Sequence, residues 1–172
     1  PIAAGIAFNR ARSSAEFIDA ATRLWAVPMQ NMVVADRGGH IALVSPGRVP
    51  LRRAHNDHHG LLPAPGWDAR YDWAGWVQAQ ATPRELDPPR GWLASANQRI
   101  HGADYPHYLG SDWAAPYRAQ RIEQLLRARA RHSIDDMAAM QADELSLATQ
   151  SLLPWLKKAR PAHPLAQATA EA

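Results

Sequence analysis

Apolar residues first recur at helical spacing near the start of the chain. Phe17, Ala20, Ala21 and Leu24 share a face of SSAEFIDAATRL, and Ser13 with Glu16 has capping-box spacing. The pattern predicts a helix over 13–24, ended by Pro28. Two β-rich runs follow, Met32 to Ala35 and His40 to Ser45. They flank Asp36-Arg37-Gly38-Gly39, which has the turn chemistry of an antiparallel hairpin. From 46 to 90 periodicity is lost, and Pro, Gly, Asp, Arg and Trp dominate. A stretch this long without pattern is either functional or disordered, and its large aromatics argue against disorder. A loop wrapped over a sheet is expected there, followed by a strand over Trp92 to Asn97. Beyond 111 the spacing becomes helical again. Tyr117, Arg121 and Leu125 recur, as do Ile122 and Leu126. Pro116 suits a first turn, and Ser133 with Asp136 forms a second cap. The expectation is two helices over 116–158, joined at Arg131-His132. No internal repeat is visible.

Composition narrows the classes. The chain has 172 residues and is 47% hydrophobic, enough for one domain and a small appendage. No segment approaches the roughly 20 apolar residues of a membrane helix. The opening PIAAGIAFNRARSSAEF lacks secretory character, and the absence of an initiating methionine points to processing or a fragment. There is no cysteine, so disulfides, thiolate catalysis and cysteine-based zinc sites are excluded. The net charge of +3 is spread over a mixed surface, not concentrated in the stripe of a nucleic-acid binder.

Several constellations invite chemistry. HNDHHG (55–60) offers His55, Asp57, His58 and His59 as metal ligands, but neighbouring histidines on one loop point apart, and a solvated loop is the better reading. Pro1 could act as an amine base only at the head of a buried strand, which the following residues do not predict. Ser95 is outside any nucleophile elbow and reads as a core or turn serine. The arginines 118, 121, 127, 129 and 131 could face nucleic acid, making the chain a non-catalytic basic module. Without interleaved aromatics they read better as a solvated face paired with Glu123 and Asp135. Asn97 differs. An asparagine ending a run of small residues can project its amide N–H into a cleft, where one donor to a developing oxyanion is worth on the order of 3 kcal/mol. By itself, it reads better as an asparagine capping a strand end or turning the chain.

Five strings in order shift that balance. PMQNMVVADRGGHIALVSPGRVPLR (28–52), GLLPAPGWD with YDWAGW (60–76), DPPRGWLASANQRI (87–100), DYPHYL with DWAAPYRAQRIEQLL (104–126) and DDMAAMQADELS (135–146) together resemble the penicillin acylase family. That family of N-terminal-nucleophile amide hydrolases includes β-lactam acylases and acyl-homoserine-lactone acylases. The resemblance implies an α+β fold. It would be part of an αββα sandwich with an antiparallel sheet holding the hairpin and the Asn97 strand. The chain would divide into a core section with its wrapping loop (1–115), a helical subdomain (116–160) and a frayed tail (161–172).

It implies an autoprocessed precursor, exported to the periplasm or secreted, in which a serine at the start of the large chain is the nucleophile and its α-amino group the base. No such serine is present, so the segment is expected to be an internal piece of the large chain, inactive alone. Its partners would be the rest of the precursor and a small amide substrate, not nucleic acid or membrane. The oxyanion-holding asparagine maps to Asn97, and the arginine ordering the free amino group maps to Arg118, with Arg121 as its rival. The acyl pocket falls around Pro28 and Met29. No cofactor is required; a structural calcium would fall near Gly60 and Asp112.

Overall fold

The computed structural model describes residues 2–158; Pro1 and residues 159–172, which include the tail expected from 161, lie outside them. The chain divides between Trp113 and Ala114 into two compact units.

The first unit opens with α1 (Ile2–Arg10) and α2 (Ser14–Leu24). Ser13 caps α2, its Oγ accepting the Glu16 N–H at 3.2 Å. The capping box is only half formed, because the Glu16 carboxylate accepts the Arg12 N–H instead. Small residues let the helices meet closely: Ala4, Ala20 and Ala21 are buried. Phe8 of α1 stacks on Phe17 at 4.4 Å between centroids. α2 also packs against the sheet that follows.

That sheet begins with the hairpin of β1 (Met32–Ala35) and β2 (Ile41–Val44), paired antiparallel with Met32 opposite Val44. β1 alternates between half-buried and exposed residues, as an edge strand should. β2 is the central strand, with Ala42, Leu43 and Val44 all buried. Asp36 ties hairpin to helix: its carboxylate accepts the Ser14 N–H and Oγ–H at 2.9 and 2.8 Å and the His40 N–H at 3.1 Å. These donors favour the charged form and hold its pKa at about 2.

The stretch after 46 is more ordered than its composition predicts. It contains β3 (Pro50–Arg52), β4 (Trp73–Trp76) and β5 (Arg84–Leu86). β3 and β4 form a separate antiparallel ribbon with an irregularity between Leu51 and Arg52. β5 returns to pair antiparallel with β2, completing a three-stranded sheet in the order β1-β2-β5. The expected strand over Trp92 to Asn97 is not there: these residues form irregular backbone, and the third strand is β5 instead. Asn97 has φ of +64°, a left-handed value that no extended strand accommodates.

Among its described residues the second unit has three helices where two were expected: α3 (Tyr117–Arg127), α4 (Ile134–Gln141) and α5 (Leu147–Leu156). Ser133 and Asp136 do form a complete capping box at the start of α4. A further cap at Ser146, whose Oγ accepts the Thr149 N–H, starts α5 and breaks the expected continuous second helix. Arg121 on α3 grips Asp143 with two hydrogen bonds of 2.8 and 2.6 Å, fixing the α4–α5 turn.

Candidate functional site

Two stretches of the first unit carry most of the residues singled out by sequence, and both are built onto the ends of the hairpin. The first is 26–30. Its backbone lies alongside 46–48: the Arg48 N–H donates to Ala26 O at 2.7 Å and the Gln30 N–H to Pro46 O at 3.2 Å. Trp25 Nε1–H donates to Pro28 O at 2.5 Å. Pro28, which follows a cis peptide bond, is exposed, and Met29 is half-buried against Gly47. Gly47 has φ of +150°, and a Cβ there would lie 2.7 Å from Met29 Cα. Only glycine lets the two backbones come so close.

The second stretch is 91–98. Antiparallel register sets Met32 opposite Val44, so Asn31 and Ser45 face each other one step beyond the strands. Ser45, fully buried, donates its Oγ–H to Asn31 Oδ1 at 2.8 Å. Asn31 Nδ2–H in turn donates to Ser95 Oγ at 2.8 Å. The irregular segment is thereby fastened to the sheet two residues before Asn97. Ala96 is buried, and its N–H donates to Gln98 Oε1 at 2.7 Å, closing a tight turn around Asn97. Asn97 is exposed at the apex, and asparagine is one of the few residues that tolerate its left-handed backbone. The arrangement presents a side-chain amide on a short, doubly anchored turn.

The other predicted residues stand elsewhere. Arg118 lies in the first turn of α3, in the second unit, and is exposed. Its rival Arg121 is committed to Asp143. Arg127 pairs with Glu123, and Arg129 pairs with Asp136 rather than with the expected Asp135. Arg121, Arg127 and Arg129 thus hold carboxylates, the arrangement of a solvated face. Asp112 is exposed, and Gly60 has the Arg52 guanidinium 2.6 Å from the position of a Cβ. In HNDHHG, His58 stacks on Tyr71 at 4.5 Å and His59 lies against Tyr108 at 4.9 Å. The rings serve packing, and among the described residues no three His, Asp or Glu converge on one point.

Sequence reasoning gave no role to Asn31 or to Asp87. Asp87 accepts the Ile41 N–H at 2.8 Å and pairs with His40 at 2.8 Å, closing the β2–β5 edge. The hairpin register itself was the available signal for Asn31: the residue before β1 must meet the residue after β2.

Comparison with known proteins accords with this architecture. The chain is 43% identical over 126 residues to penicillin acylase 2 proenzyme of Pseudomonas sp. strain SE83, covering 73% of this chain and 16% of that protein. It is 39% identical over 160 residues to acyl-homoserine lactone acylase QuiP of Pseudomonas aeruginosa, covering 93% of this chain and 18% of that one. The chain therefore spans less than a fifth of the length of these relatives. The structure of a thermostable penicillin G acylase from Alcaligenes faecalis superposes with a TM-score of 0.73 at 25% identity, over 98% of this chain and 30% of that one. Among the described residues no helix is long and apolar enough to cross a membrane. The family model for penicillin amidase matches residues 1–172, and the chain belongs to that family.

Proposed function

We propose that this chain is a section of an exported, autoprocessed amidohydrolase that releases an acyl group from an amine, the substrate being a linear amide such as an acylated β-lactam or acyl-homoserine lactone. The nucleophile is an N-terminal serine contributed elsewhere in the full-length polypeptide, with its own α-amino group as base. The three-stranded sheet with α1 and α2 is one part of an αββα sandwich. Asn97 donates its amide N–H to the oxyanion of the tetrahedral intermediate. Arg118 organises the charge around the free amino group, and Pro28 and Met29 form a wall of the acyl pocket.

The observation that carries this reading is the turn at Asn97. A left-handed, exposed asparagine between two anchors is held still before substrate arrives. That is the condition under which a hydrogen-bond donor lowers a barrier, because no reorganisation is needed as charge develops. The names of the relatives support acyl transfer from nitrogen as the reaction class.

The test is substitution of Asn97 in the full-length polypeptide, measuring release of a chromogenic amine. Asn97→Gly keeps the left-handed backbone and deletes the amide. It should lower kcat by about 10²–10³ with little change in folding. Full turnover in Asn97→Gly would dismiss the oxyanion role.

A further inference from the structure

We infer that Asn31 is a positioning residue for this reaction. Through its bond to Ser95, it fixes the turn that presents Asn97, an inference that rests on the oxyanion role proposed above. The argument starts from the hairpin. Asn31 and Ser45 stand opposite each other just past the paired ends of β1 and β2. Ser45 is fully buried and doubly held. Its N–H donates to Pro83 O at 3.0 Å, and its Oγ–H donates to Asn31 Oδ1. The Asn31 amide is oriented by that second bond, so its Nδ2–H has a set direction, toward Ser95 Oγ. A polar chain thus runs from the centre of the sheet to a segment with no strand pairing of its own.

The consequence for Asn97 follows from how this bond differs from the one inside the turn. The segment from 92 to 98 makes no ladder hydrogen bonds, and the Ala96 N–H bond to Gln98 is local to the turn. It shapes the turn but does not place it. The Asn31–Ser95 bond spans 64 residues of sequence and does place it. Loss of that bond leaves the Ala96–Gln98 bond intact and loosens the hold of the sheet on the turn. A donor displaced by a fraction of an ångström weakens transition-state stabilisation more than substrate binding, so the effect belongs in kcat.

A mutant cycle in the full-length enzyme tests this. Asn31→Ala should lower kcat about tenfold and change KM less than twofold. Asn97→Gly should give its larger loss. The double variant should be no slower than Asn97→Gly alone, since a residue that acts only by aiming the amide has nothing left to aim. Ser95→Ala cuts the same tie while leaving Ser45 bonded to Asn31. It should reproduce the tenfold loss and serves if Asn31→Ala fails to fold. Ser95→Thr, which keeps the hydroxyl, should restore most of the rate. Unchanged kcat in both Asn31→Ala and Ser95→Ala overturns the inference. So do losses that multiply in the double variant, because they mark a structural role independent of the amide. Full activity in Asn97→Gly overturns instead the oxyanion role and everything placed upon it.

Discussion

Gly47→Ala is expected to be among the most damaging single-methyl additions in the first unit, and its size can be worked from two glycines. Gly47 has φ of +150° and Gly110 has φ of +146°. Both lie in a region that side chains rarely enter, at about 1–3 kcal/mol. Around Gly110 there is nothing within 4 Å of an added Cβ, so Gly110→Ala should show the conformational term alone. At Gly47 the same Cβ would meet Met29 Cα at 2.7 Å, Met29 Cβ at 3.0 Å and Met29 N at 3.2 Å. The obstacle is backbone, pinned on either side by the Arg48 and Gln30 hydrogen bonds, so it cannot swing aside as a side-chain tip would. Overpacking of this kind adds about 1–3 kcal/mol. Gly47→Ala should therefore lose about 2–6 kcal/mol, against about 1–3 for Gly110→Ala. Equilibrium urea unfolding followed by tryptophan fluorescence measures both, and six of the seven tryptophans lie in the unit that holds these glycines. Equal losses for the two variants would show that 26–30 yields freely, and would refute the close-approach argument.

Three further expectations concern pH and the helical unit. Asp36 has a pKa lowered to about 2 by the Ser14 N–H and hydroxyl, so its contribution is present above about pH 4 and is lost as pH falls toward 2. Asp36→Asn should flatten that acid limb in urea midpoints measured against pH. His40 is shifted upward by its bond to Asp87, so its contribution is full below about pH 6.5 and disappears as pH rises through its folded value. His40→Gln should remove that slope. In the second unit, Ser133→Ala deletes the cap of α4 and should cost about 1 kcal/mol, read as lost helicity and a lower melting temperature by circular dichroism. No change would mean that α4 is held by something other than its cap.

The elements with strong local signals were legible in the sequence. The hairpin runs, the Ser13 cap and the Ser133–Asp136 box depend on contacts within a few residues, and they stand where the pattern puts them. The short strands between 46 and 90 were hidden for a physical reason. β3 starts on a proline, β4 is Trp-Ala-Gly-Trp, and β5 is Arg-Glu-Leu, so none alternates in polarity. Each is a strand only because a distant partner supplies its hydrogen bonds. The run 92–97 erred in the other direction: Trp92, Leu93 and the small residues mimic a strand, but their anchor is side-chain bonding through Ser95. The importance of Asn97 came from resemblance, since one amide carries no periodic signal. The setting that makes it a candidate donor emerged only with the three-dimensional arrangement. Asn31 escaped because its role depends on two partners, 14 and 64 residues away.

The path from Ser45 to Pro83 leaves the sheet and comes back to the same point, its two ends joined by a 3.0 Å hydrogen bond. Beyond the 46–48 stretch held against 26–30, what lies between is an excursion closed at its base, with its own ribbon of exposed Trp73 and Trp76. Such a closed detour can gain or lose residues without changing the frame to which β5, and the turn after it, are fixed. Diversification of whatever surface the ribbon offers is thus uncoupled from the placement of Asn97. Descendants of this architecture are free to vary the first while inheriting the second.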